Sequence, residues 1–518
     1  MNKLKFIYGS IILATVNFLV RMMGFGYKII LSKLIGPSGI GLFQLVMPVL
    51  MLFITITTAG IPIAVTKLVA KEEAKKNYSG SFRILKIALY ITTVISLFLS
   101  IILFLSAKYI SQNILKNNDI LYSLYFLVPA IGIISISSVI RGYFYGLKKM
   151  AISGIAQVIE QISRILFVLL YLYFSYPVDS RWGAFIAVLG ITLGEVFGLL
   201  WLLFNYGIFK LKRKKIKTIS NLSYSHITSN LLFIAVPITI SRLINVILQL
   251  ANAVLIPQRL MIAGYTNSEA VEIFGRVVGM TMPLIFLPFI VTSALVINII
   301  PNISEQIHNH KIKEIEEDTS LCIRITLLLA IPITAIYIAY SVPLGNFIYN
   351  DPLVGKYIGI LGYSTVFLSL HHTLSGVLHG LGKQIPATIN YITGMAFQLL
   401  ATYFLIANPK YGIYGFFIGF LTSSIIICTL DFIVVRHHIK FKLKISDYII
   451  KPLLSATIMI QVIKLGDYFV NNYNNVAFHV LLYLLALCLY WILLLLTKAL
   501  PITSLLKLFP KYNKKIHN

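Results

Sequence analysis

Long apolar runs, separated by short polar segments, make up most of this chain. A helix that crosses a bilayer needs about 20 mainly apolar residues, and fourteen runs are long enough. The segment "KLKRKKIKTISNLSYSH", which follows the sixth run, is typical of the polar breaks. The predicted spans cover residues 6–31, 40–68, 84–106, 119–145, 152–175, 182–207, 228–255, 271–300, 321–341, 353–381, 385–407, 412–435, 448–465 and 476–499. The pattern predicts an all-α polytopic membrane protein with about fourteen transmembrane helices.

Composition supports a location in the membrane. The 518 residues are 58% hydrophobic and only 12% charged, whereas a soluble domain has about 25% charged residues. The N-terminus begins like a signal peptide, but its apolar part runs past the usual length and no clear cleavage site follows. We therefore expect a retained first span. The net charge of +27 indicates basic cytoplasmic loops rather than a nucleic-acid partner.

The distribution of positive charge predicts the orientation in the cell membrane. With the N-terminus in the cytoplasm, the inside loops and helix ends hold most of the 44 lysines and arginines. The outside loops and their flanks contain only Lys33, Lys108, Lys116, Arg181, Arg259, Lys356, Lys410 and Lys464. This bias predicts an even number of spans with both termini in the cytoplasm.

The chain lacks the motifs of in-chain catalysis. Cys322, Cys428 and Cys488 lie in apolar runs and form no CxxC or Cys/His cluster, so no metal site is predicted. There is no P-loop, nucleophile elbow or HExxH motif, and no loop is long enough to fold as a catalytic domain. We therefore predict no cofactor and no enzyme activity. The remaining functions are transport without in-chain ATP hydrolysis, or scaffolding.

Two separate pairs of segments indicate an internal repeat. "SSVIRGYFYGLKKMAISGI" (137–155) matches "HHTLSGVLHGLGKQIPATI" (371–389) at an offset of 234. "MPVLMLFITITTA" (47–59) matches "MPLIFLPFIVTSA" (282–294) at an offset of 235. The repeat contains six spans, so both copies keep the same orientation. Such copies are related by a pseudo-two-fold axis along the membrane normal.

The repeat predicts the domain organisation. Spans one to six form a first lobe, residues 1–209, and spans seven to twelve form a second lobe, residues 228–435. Residues 210–227 are a basic cytoplasmic linker, and residues 436–518 hold spans thirteen and fourteen with a basic cytoplasmic tail. We expect a substrate path between the lobes, lined by spans one, two, seven and eight.

The first span contains two cations in "NFLVRMMGFGYKIILSKLIG". Arg21 and Lys28 are seven residues apart, which places them on one face of a helix. A cation at the bilayer centre costs about 2.5–3.5 kcal/mol. Lys28 can reach the outer headgroups by snorkelling, but Arg21 lies deeper and is the stronger candidate for a functional role.

Spans seven and eight also contain polar residues that either bind a ligand or have a structural role. Arg242, Asn245 and Gln249 form a stripe on span seven that either lines a cavity or bonds to another helix. Arg276 lies near the outer end of span eight, where snorkelling also explains it. The candidate substrate-binding residues are Arg21, Lys28, Arg242, Asn245, Gln249 and Arg276.

The spans also contain acids and helix-bending residues. Glu160 and Arg164 are four residues apart on span five, which predicts an ion pair or a coupling site. Glu195 and Asp431 are single acids that either carry a proton or have a packing role. Proline removes a backbone donor and kinks a helix. The candidate kink or gating residues are Gly24, Pro48, Pro62, Pro283 and Pro288.

Three segments resemble the stage V sporulation protein B family. They are "GPSGIGLFQLVMPVLMLFITITTAGIPIAVTKLVAKE" (36–72), "IRGYFYGLKKMAISGIAQVIEQISRI" (140–165) and "MTMPLIFLPFIVTSALVINIIPNISE" (280–305). The family belongs to the multidrug/oligosaccharidyl-lipid/polysaccharide exporter superfamily, which includes lipid II flippases. The resemblance implies two six-helix lobes and a role in spore cortex peptidoglycan. Arg21, Gly24 and Phe25 also match the first-span pattern of lipid II flippases.

Three functions are compatible with these residues. The first is a flippase for an undecaprenyl-diphosphate-linked glycan precursor such as lipid II, working by alternating access among membrane lipids. The second is a sporulation scaffold that recruits cell-wall synthases without transport. The third is a cation-coupled multidrug antiporter, which is disfavoured because the first acid of the chain is Glu72 whereas Arg21 lies in the first span.

Overall fold

The computed structural model describes residues 3–58, 60–213, 223–441, 444–470 and 476–500, and within these ranges the regular structure is helical. Residues 214–222 of the predicted basic linker lie outside the described residues. The same holds for the predicted tail beyond residue 500.

The helices follow one another with short connections. They are α1 (Lys3–Thr58), α2 (Ile61–Ala74), α3 (Tyr78–Tyr109), α4 (Leu121–Gly146), α5 (Met150–Phe174), α6 (Ser180–Arg213), α7 (Tyr224–Ile262), α8 (Asn267–Phe274), α9 (Met282–Ile285), α10 (Phe289–His308), α11 (Ile312–Ala339), α12 (Ser341–Tyr349), α13 (Pro352–Leu361), α14 (Ser364–Gly380), α15 (Gln384–Leu405), α16 (Tyr414–His438), α17 (Lys451–Val470) and α18 (Val476–Leu496). Short π-helical turns lie at Ile110–Ile114, Gly275–Thr281 and Ser446–Ile450.

The protein is a multi-pass membrane protein. In the described part of the chain, ten helical segments are long and apolar enough to cross a bilayer, and the bent pair α13–α14 would make eleven. One of the ten, Thr15–Ala74, has 60 residues and covers the first two predicted spans. Helical structure occurs at each of the fourteen predicted spans. The all-α polytopic fold is thereby confirmed, while the count of fourteen crossings stays a prediction.

The exposed surface is also that of a membrane protein. On α3, Phe98, Leu105 and Tyr109 are 63%, 75% and 62% exposed, and on α5 Phe174 is 80% exposed. Large exposed apolar surfaces are rare on soluble monomers. Exposing these side chains to lipid has no free-energy cost, because lipid tails are as apolar as the side chains.

Breaks in the helices fall at glycines and prolines. Within α1 the one non-helical residue is Gly36, whose φ of 68° and ψ of 178° are accessible mainly to glycine. The backbone is helical at Gly24 and at Pro48. Pro62 lies in the first turn of α2, and Pro288 is the residue before α10. Pro62 and Pro288 thus stand at helix starts, where the missing N–H of proline does no harm.

Two further breaks lie at Pro283 and between helices α13 and α14. Pro283 occupies the first turn of α9, and α13 and α14 meet at 54°. The part that any of these residues takes in gating stays a prediction.

The chain forms two compact units. The first contains Met1–Met280 with Ile406–Ile413, and the second contains Thr281–Leu405 with Tyr414–Asn518. This division follows packing, whereas the predicted lobes follow the repeat. The lobe boundaries at residues 209 and 228 therefore stay a prediction.

In the first unit, α2, α3 and α4 pack around a common core with α7. Val65, Ala88, Tyr143 and Leu231 represent the four helices in this core. Val65, Ala88 and Tyr143 are fully buried. Because water is absent from the hydrocarbon core, this packing acts through close contact rather than through apolar transfer.

Helix α8 also belongs to the first unit, and the π-helical turn that follows it approaches α1 at very short range. A Cβ atom on Gly275 would lie 2.1 Å from the Pro37 carbonyl oxygen, and one on Gly279 would lie 2.0 Å from Ile40 Cγ2. Nearby, the Asn117 amide donates to Asn267 Oδ1 at 3.0 Å. Only residues without a side chain permit this approach.

In the second unit, the core joins α10, α11 and α14 to the last two helices. Ile303, Val377, Met459 and Tyr490 are fully buried in it. The Tyr490 hydroxyl donates to the Leu328 carbonyl at 2.9 Å. The predicted spans thirteen and fourteen are therefore packed against the unit rather than standing apart from it.

Left-handed backbone residues recur with the spacing of the sequence repeat. Positive φ occurs at Lys76 and His310, at Lys116 and Asn350, and at Lys148 and Gly382. Each pair is separated by 234 residues, and each member follows the end of a helix, where a left-handed residue commonly terminates it. The chain thus turns in the same way at corresponding points of the two copies.

Side-chain caps repeat as well. Asn117 Oδ1 accepts a hydrogen bond from the Asp119 amide at 2.9 Å, and Asp351 Oδ1 accepts one from the Leu353 amide at 2.9 Å. Another cap lies between α7 and α8. There the backbone and hydroxyl of Thr266 donate to the Glu269 carboxylate, which lowers the pKa of that carboxyl. These caps satisfy amides that the helices themselves cannot.

The repeated glycines are explained by a helix crossing that occurs once in each unit. A Cβ on Gly142 would lie 2.5 Å from the Pro62 carbonyl oxygen, and one on Gly146 would lie 2.8 Å from Val69 Cβ. In the second unit, a Cβ on Gly376 would lie 2.8 Å from Val296 Cγ2. Position 296 is 234 residues after position 62, so the same contact is built twice.

We predict that Gly142→Ala destabilises the first unit by about 1–3 kcal/mol, because the methyl group forces α2 and α4 apart. Gly132 lies on the same helix and its Cβ would meet nothing within 4 Å. Gly132→Ala is therefore the matched control, and it should be neutral or slightly stabilising. Thermal unfolding of both variants in detergent micelles measures the difference, and equal melting temperatures would contradict the close crossing.

Candidate functional site

The two cations of the first span lie on a weakly packed part of α1. From Thr15 to Ile30, Tyr27 is the one buried residue. Arg21 and Lys28 are both exposed. The second half of α1 is different, since Leu31, Leu45 and other side chains there are fully or nearly fully buried. Among the described side chains of α1, Arg21 and Lys28 thus lie on the part that packs least against other helices.

The polar stripe of span seven lies on a similar stretch of α7. No residue from 236 to 252 is buried, and Arg242, Asn245 and Gln249 are exposed. The Asn245 amide donates to the carbonyl of Ser241 at 3.4 Å, within its own helix. The structure thus does not use this stripe as a buried contact between helices.

Helices α1 and α7 pack against each other in the first unit. Neither helix contains an aspartate or a glutamate. Arg21, Lys28 and Arg242 therefore lie on two neighbouring helices that contribute positive charge alone. Such a surface is suited to anions and unsuited to cations.

Arg276 is placed differently from the other candidates. It lies in the π-helical turn after α8, and its Nη2 is 2.7 Å from Glu272 Oε1. The Arg276 side chain is only 16% exposed. Because a carboxylate already holds this guanidinium, we leave Arg276 out of the proposed binding site.

Four charged side chains meet inside the first unit. Glu160 Oε1 is 3.0 Å from Arg164 Nη2, and Glu160 Oε2 is 2.8 Å from Arg141 Nη2. The same nitrogen of Arg141 is 3.1 Å from Glu195 Oε2. The four side chains are at most 20% exposed. We call Arg141, Glu160, Arg164 and Glu195 the ion quartet; it joins α4, α5 and α6 and its formal charges cancel.

Sequence reasoning recognised the spacing of Glu160 and Arg164 but missed Arg141. Arg141 precedes Gly142 in the repeated segment and lies inside the predicted fourth span. A cation within a span requires a partner. Applied to Arg141, this requirement would have predicted an ion pair with one of the acids of spans five and six.

The quartet borders the helix that carries Arg21. A Cβ on Gly24 would lie 3.6 Å from Gln161 Nε2 on α5. The Arg164 guanidinium acts electrostatically on the buried hydroxyl of Tyr27. The Arg21–Lys28 segment therefore packs on α5 beside the quartet, at the residue next to Glu160.

A second polar cluster lies inside the second unit. His371 Nδ1 is 2.7 Å from Asp431 Oδ2, and the Asn390 amide donates to Asp431 Oδ1 at 2.9 Å. Asp431 is fully buried. The neighbouring His372 bonds instead to Thr292 Oγ1 at 2.7 Å. The sequence identified Asp431 as a single acid but did not pair it with His371.

Comparison with known proteins places the chain in a family. A family model described as "Polysaccharide biosynthesis protein" matches residues 6–306, more than half of the chain. The chain belongs to this family. A second model, MatE, matches residues 261–404.

Two curated relatives come from Bacillus subtilis (strain 168). Stage V sporulation protein B is 28% identical over 451 residues, covering 86% of this chain and 87% of the relative. Lipid II flippase MurJ is 25% identical over 483 residues, covering 88% of each. These matches confirm the resemblance predicted from the three sequence segments. The names describe a sporulation protein and a flippase rather than enzymes, as expected from the missing catalytic motifs.

A solved structure supports the fold. The inward closed conformation of Lipid II flippase MurJ aligns with a TM-score of 0.68 at 16% identity, covering 93% of this chain and 98% of that one. At this identity the likeness is one of fold alone. It agrees with the polytopic helical architecture described above.

We predict that Arg141→Met destabilises the protein by about 3–5 kcal/mol, because it leaves two buried carboxylates with less positive charge. Arg181 pairs with Asp119 at 3.1 Å but is 65% exposed, so Arg181→Met should cost about 0–1 kcal/mol. Equilibrium unfolding in mixed micelles compares the two variants. If the losses are equal, the quartet is not a stabilising element. The double variant Arg141→Met/Glu195→Met should recover part of the loss.

Proposed function

We propose that this protein moves an undecaprenyl-diphosphate-linked glycan precursor of the lipid II type across the cell membrane by alternating access. We further propose that the precursor serves spore cortex peptidoglycan. The observation that carries the proposal is the exposed positive charge of α1 and α7, two adjacent helices without a single acid. The relatives named as a lipid II flippase and a sporulation protein support the same substrate class.

Arg21 is the group we assign to the diphosphate. Arginine offers a planar fork of donors that bonds two phosphate oxygens at once. In a region of low dielectric this attraction is stronger than in water. Lys28 and Arg242 add positive charge, while Asn245 and Gln249 offer amides that both donate and accept.

The membrane potential favours the direction of export. An inside-negative potential drives an anion outward by about 2.3 kcal/mol per charge per 100 mV. The potential acts on the net charge that moves. It therefore drives the diphosphate outward only for the part of its negative charge that is not neutralised by cations moving with it.

The main competing function is a cation-coupled drug antiporter. A cationic drug requires accessible acids in the binding region. Glu160 and Glu195 are instead held by the arginines of the ion quartet. This favours the anionic substrate. A scaffold that recruits cell-wall synthases is the other alternative, and it is separated from transport by the variants of Arg21.

We expect Arg21→Ala to slow translocation by about tenfold to a hundredfold, because a charge-assisted contact contributes about 1.5–3 kcal/mol. Arg21→Lys keeps the charge but loses the fork, so it should retain partial activity. The assay uses purified protein in vesicles with fluorescent lipid II and a membrane-impermeant quencher.

Lys33→Ala is the matched control, since Lys33 is an exposed cation on the same helix. Thermal unfolding checks that all variants fold. Full activity of a well-folded Arg21→Ala protein would exclude Arg21 from binding. In cells, normal spore cortex with that variant at wild-type protein level would favour the scaffold.

The proposed orientation places both termini in the cytoplasm. Asn113 is exposed on an outer loop in this topology, and Lys148 is exposed on an inner loop. In a variant without the three native cysteines, Asn113→Cys should react with an impermeant maleimide in intact cells. Lys148→Cys should react only after permeabilisation. Labelling in the opposite order would reverse the topology.

A further inference from the structure

Each of the two repeat copies carries a polar cluster on corresponding helices, and the two clusters differ in chemistry. Helices α14, α15 and α16 correspond to α4, α5 and α6 through the offset of 234. In the first unit, Arg141 of α4 pairs with Glu195 of α6. In the second unit, His371 of α14 pairs with Asp431 of α16. Both copies therefore join a basic side chain of the fourth span to an acid of the sixth.

A third residue completes each cluster. It comes from the fifth span of each copy: Glu160 on α5 contacts Arg141 at 2.8 Å, and Asn390 on α15 donates to Asp431 at 2.9 Å. Arginine stays charged at every physiological pH. Histidine is the side chain that changes charge there. The clusters lie on corresponding helices but not at aligned positions, since Arg141 aligns with Ser375 and His371 aligns with Ser137. One copy thus contains a permanent cation and the other a titratable side chain.

The geometry defines where a proton binds. An ionised carboxylate can only accept, so next to ionised Asp431 the His371 Nδ1 carries the hydrogen and Nε2 holds the free lone pair. Asp431 is 0% exposed, whereas the His371 side chain is 16% exposed. The accessible part of the pair is therefore His371, whose Nε2 is the atom left to take up a proton. With that proton the cluster is neutral, and without it one buried negative charge remains on Asp431.

Other groups near the pair do not replace this charge. The Tyr391 ring of α15 stacks on His371 with centroids 6.1 Å apart. His379 of α14 and Cys428 of α16 interact electrostatically with Asp431. On the other two neighbouring helices, Thr292 of α10 bonds His372 and Thr326 of α11 bonds Thr373. Neither of these hydrogen bonds reaches the His371–Asp431 pair.

We propose that His371, held by Asp431 and Asn390, is a proton-binding site of the second unit, and that one proton binds and leaves there in each transport cycle. This inference rests on the proposed transport function. Proton binding removes the uncompensated charge on Asp431, and it therefore favours the packed arrangement of α14, α15 and α16. Rearrangement that opens the cluster to water releases the proton from Nε2.

The first experiment measures proton binding without any transport. Exchange of the histidine C2 hydrogen with deuterium, followed by mass spectrometry of purified protein across about pH 5 to 9, reports each histidine separately. His371 should show a transition in this range. Asp431→Asn should weaken proton binding at His371 and leave His372 unchanged. A His371 that does not titrate, or that is indifferent to Asp431→Asn, would overturn the proposal.

The second experiment measures coupling in vesicles containing lipid II. Because one proton is involved, the wild-type rate should change by about threefold to tenfold between about pH 6 and 8, below the limit of tenfold per pH unit. His371→Gln should reduce this change to less than about 1.5-fold. His372→Gln is the matched control and should keep the wild-type response. An unaltered pH response in a well-folded His371→Gln protein would refute the coupling role.

The two experiments separate this inference from the proposed function. If His371 titrates in dependence on Asp431 but the vesicles show no lipid II movement, the proton site stands and the proposed substrate fails. If lipid II moves in dependence on Arg21 but without a His371-dependent pH response, the proposed function stands and the proton site fails.

Discussion

A charge inside a bilayer must be neutralised by a partner or reached by water, and much of this structure follows from that requirement. Arg141, Glu160, Arg164 and Glu195 meet this condition by pairing with each other within 3.1 Å. Their pairing fixes the rotation of α4, α5 and α6, because each helix must turn its charge inward. Helix α1 packs on α5 beside this cluster, and Arg21 and Lys28 are exposed on it.

The same medium changes what holds the helices together. Lipid removes the hydrophobic gain on association, so contact distance becomes decisive. Gly142 and Gly146 let α4 approach α2, and Gly376 and Gly380 do the same for α14 and α10. Gly275 and Gly279 in the π-helical turn after α8 bring that turn against α1 in a similar way. Small residues therefore determine which helices are neighbours, and the charged residues determine how those neighbours are rotated.

Duplication preserved the backbone more closely than the chemistry. Left-handed residues, helix caps and glycine crossings recur at an offset of 234. Each copy also has a polar cluster on its fourth, fifth and sixth spans, but the cluster residues do not align and their chemistry differs, since one cluster has arginine ion pairs and the other has a histidine. If His371 binds protons as proposed, one copy keeps a fixed charge balance while the other responds to protons, a division of labour that two identical copies would lack.

The sequence by itself determined the fold class, the positions of the helices and the repeat. These follow from composition and hydropathy, which the bilayer enforces residue by residue. It also pointed to Arg21, Lys28 and the stripe on α7 as polar residues in apolar surroundings, and to a family resemblance that the comparisons confirm. How these residues contribute to binding is left to the variants proposed above.

Tertiary structure alone decided which side chains meet. Arg141 and Glu195 are 54 residues apart, and His371 and Asp431 are 60 residues apart. Their contacts depend on how separate helices rotate and cross, which a local apolar pattern does not record. The break at Gly36 and the packing of α8 against α1 were also missed, because both arise from backbone approach rather than from hydrophobicity. In this membrane protein the bilayer determines which segments are helices, and contacts between segments distant in sequence determine which polar side chains meet.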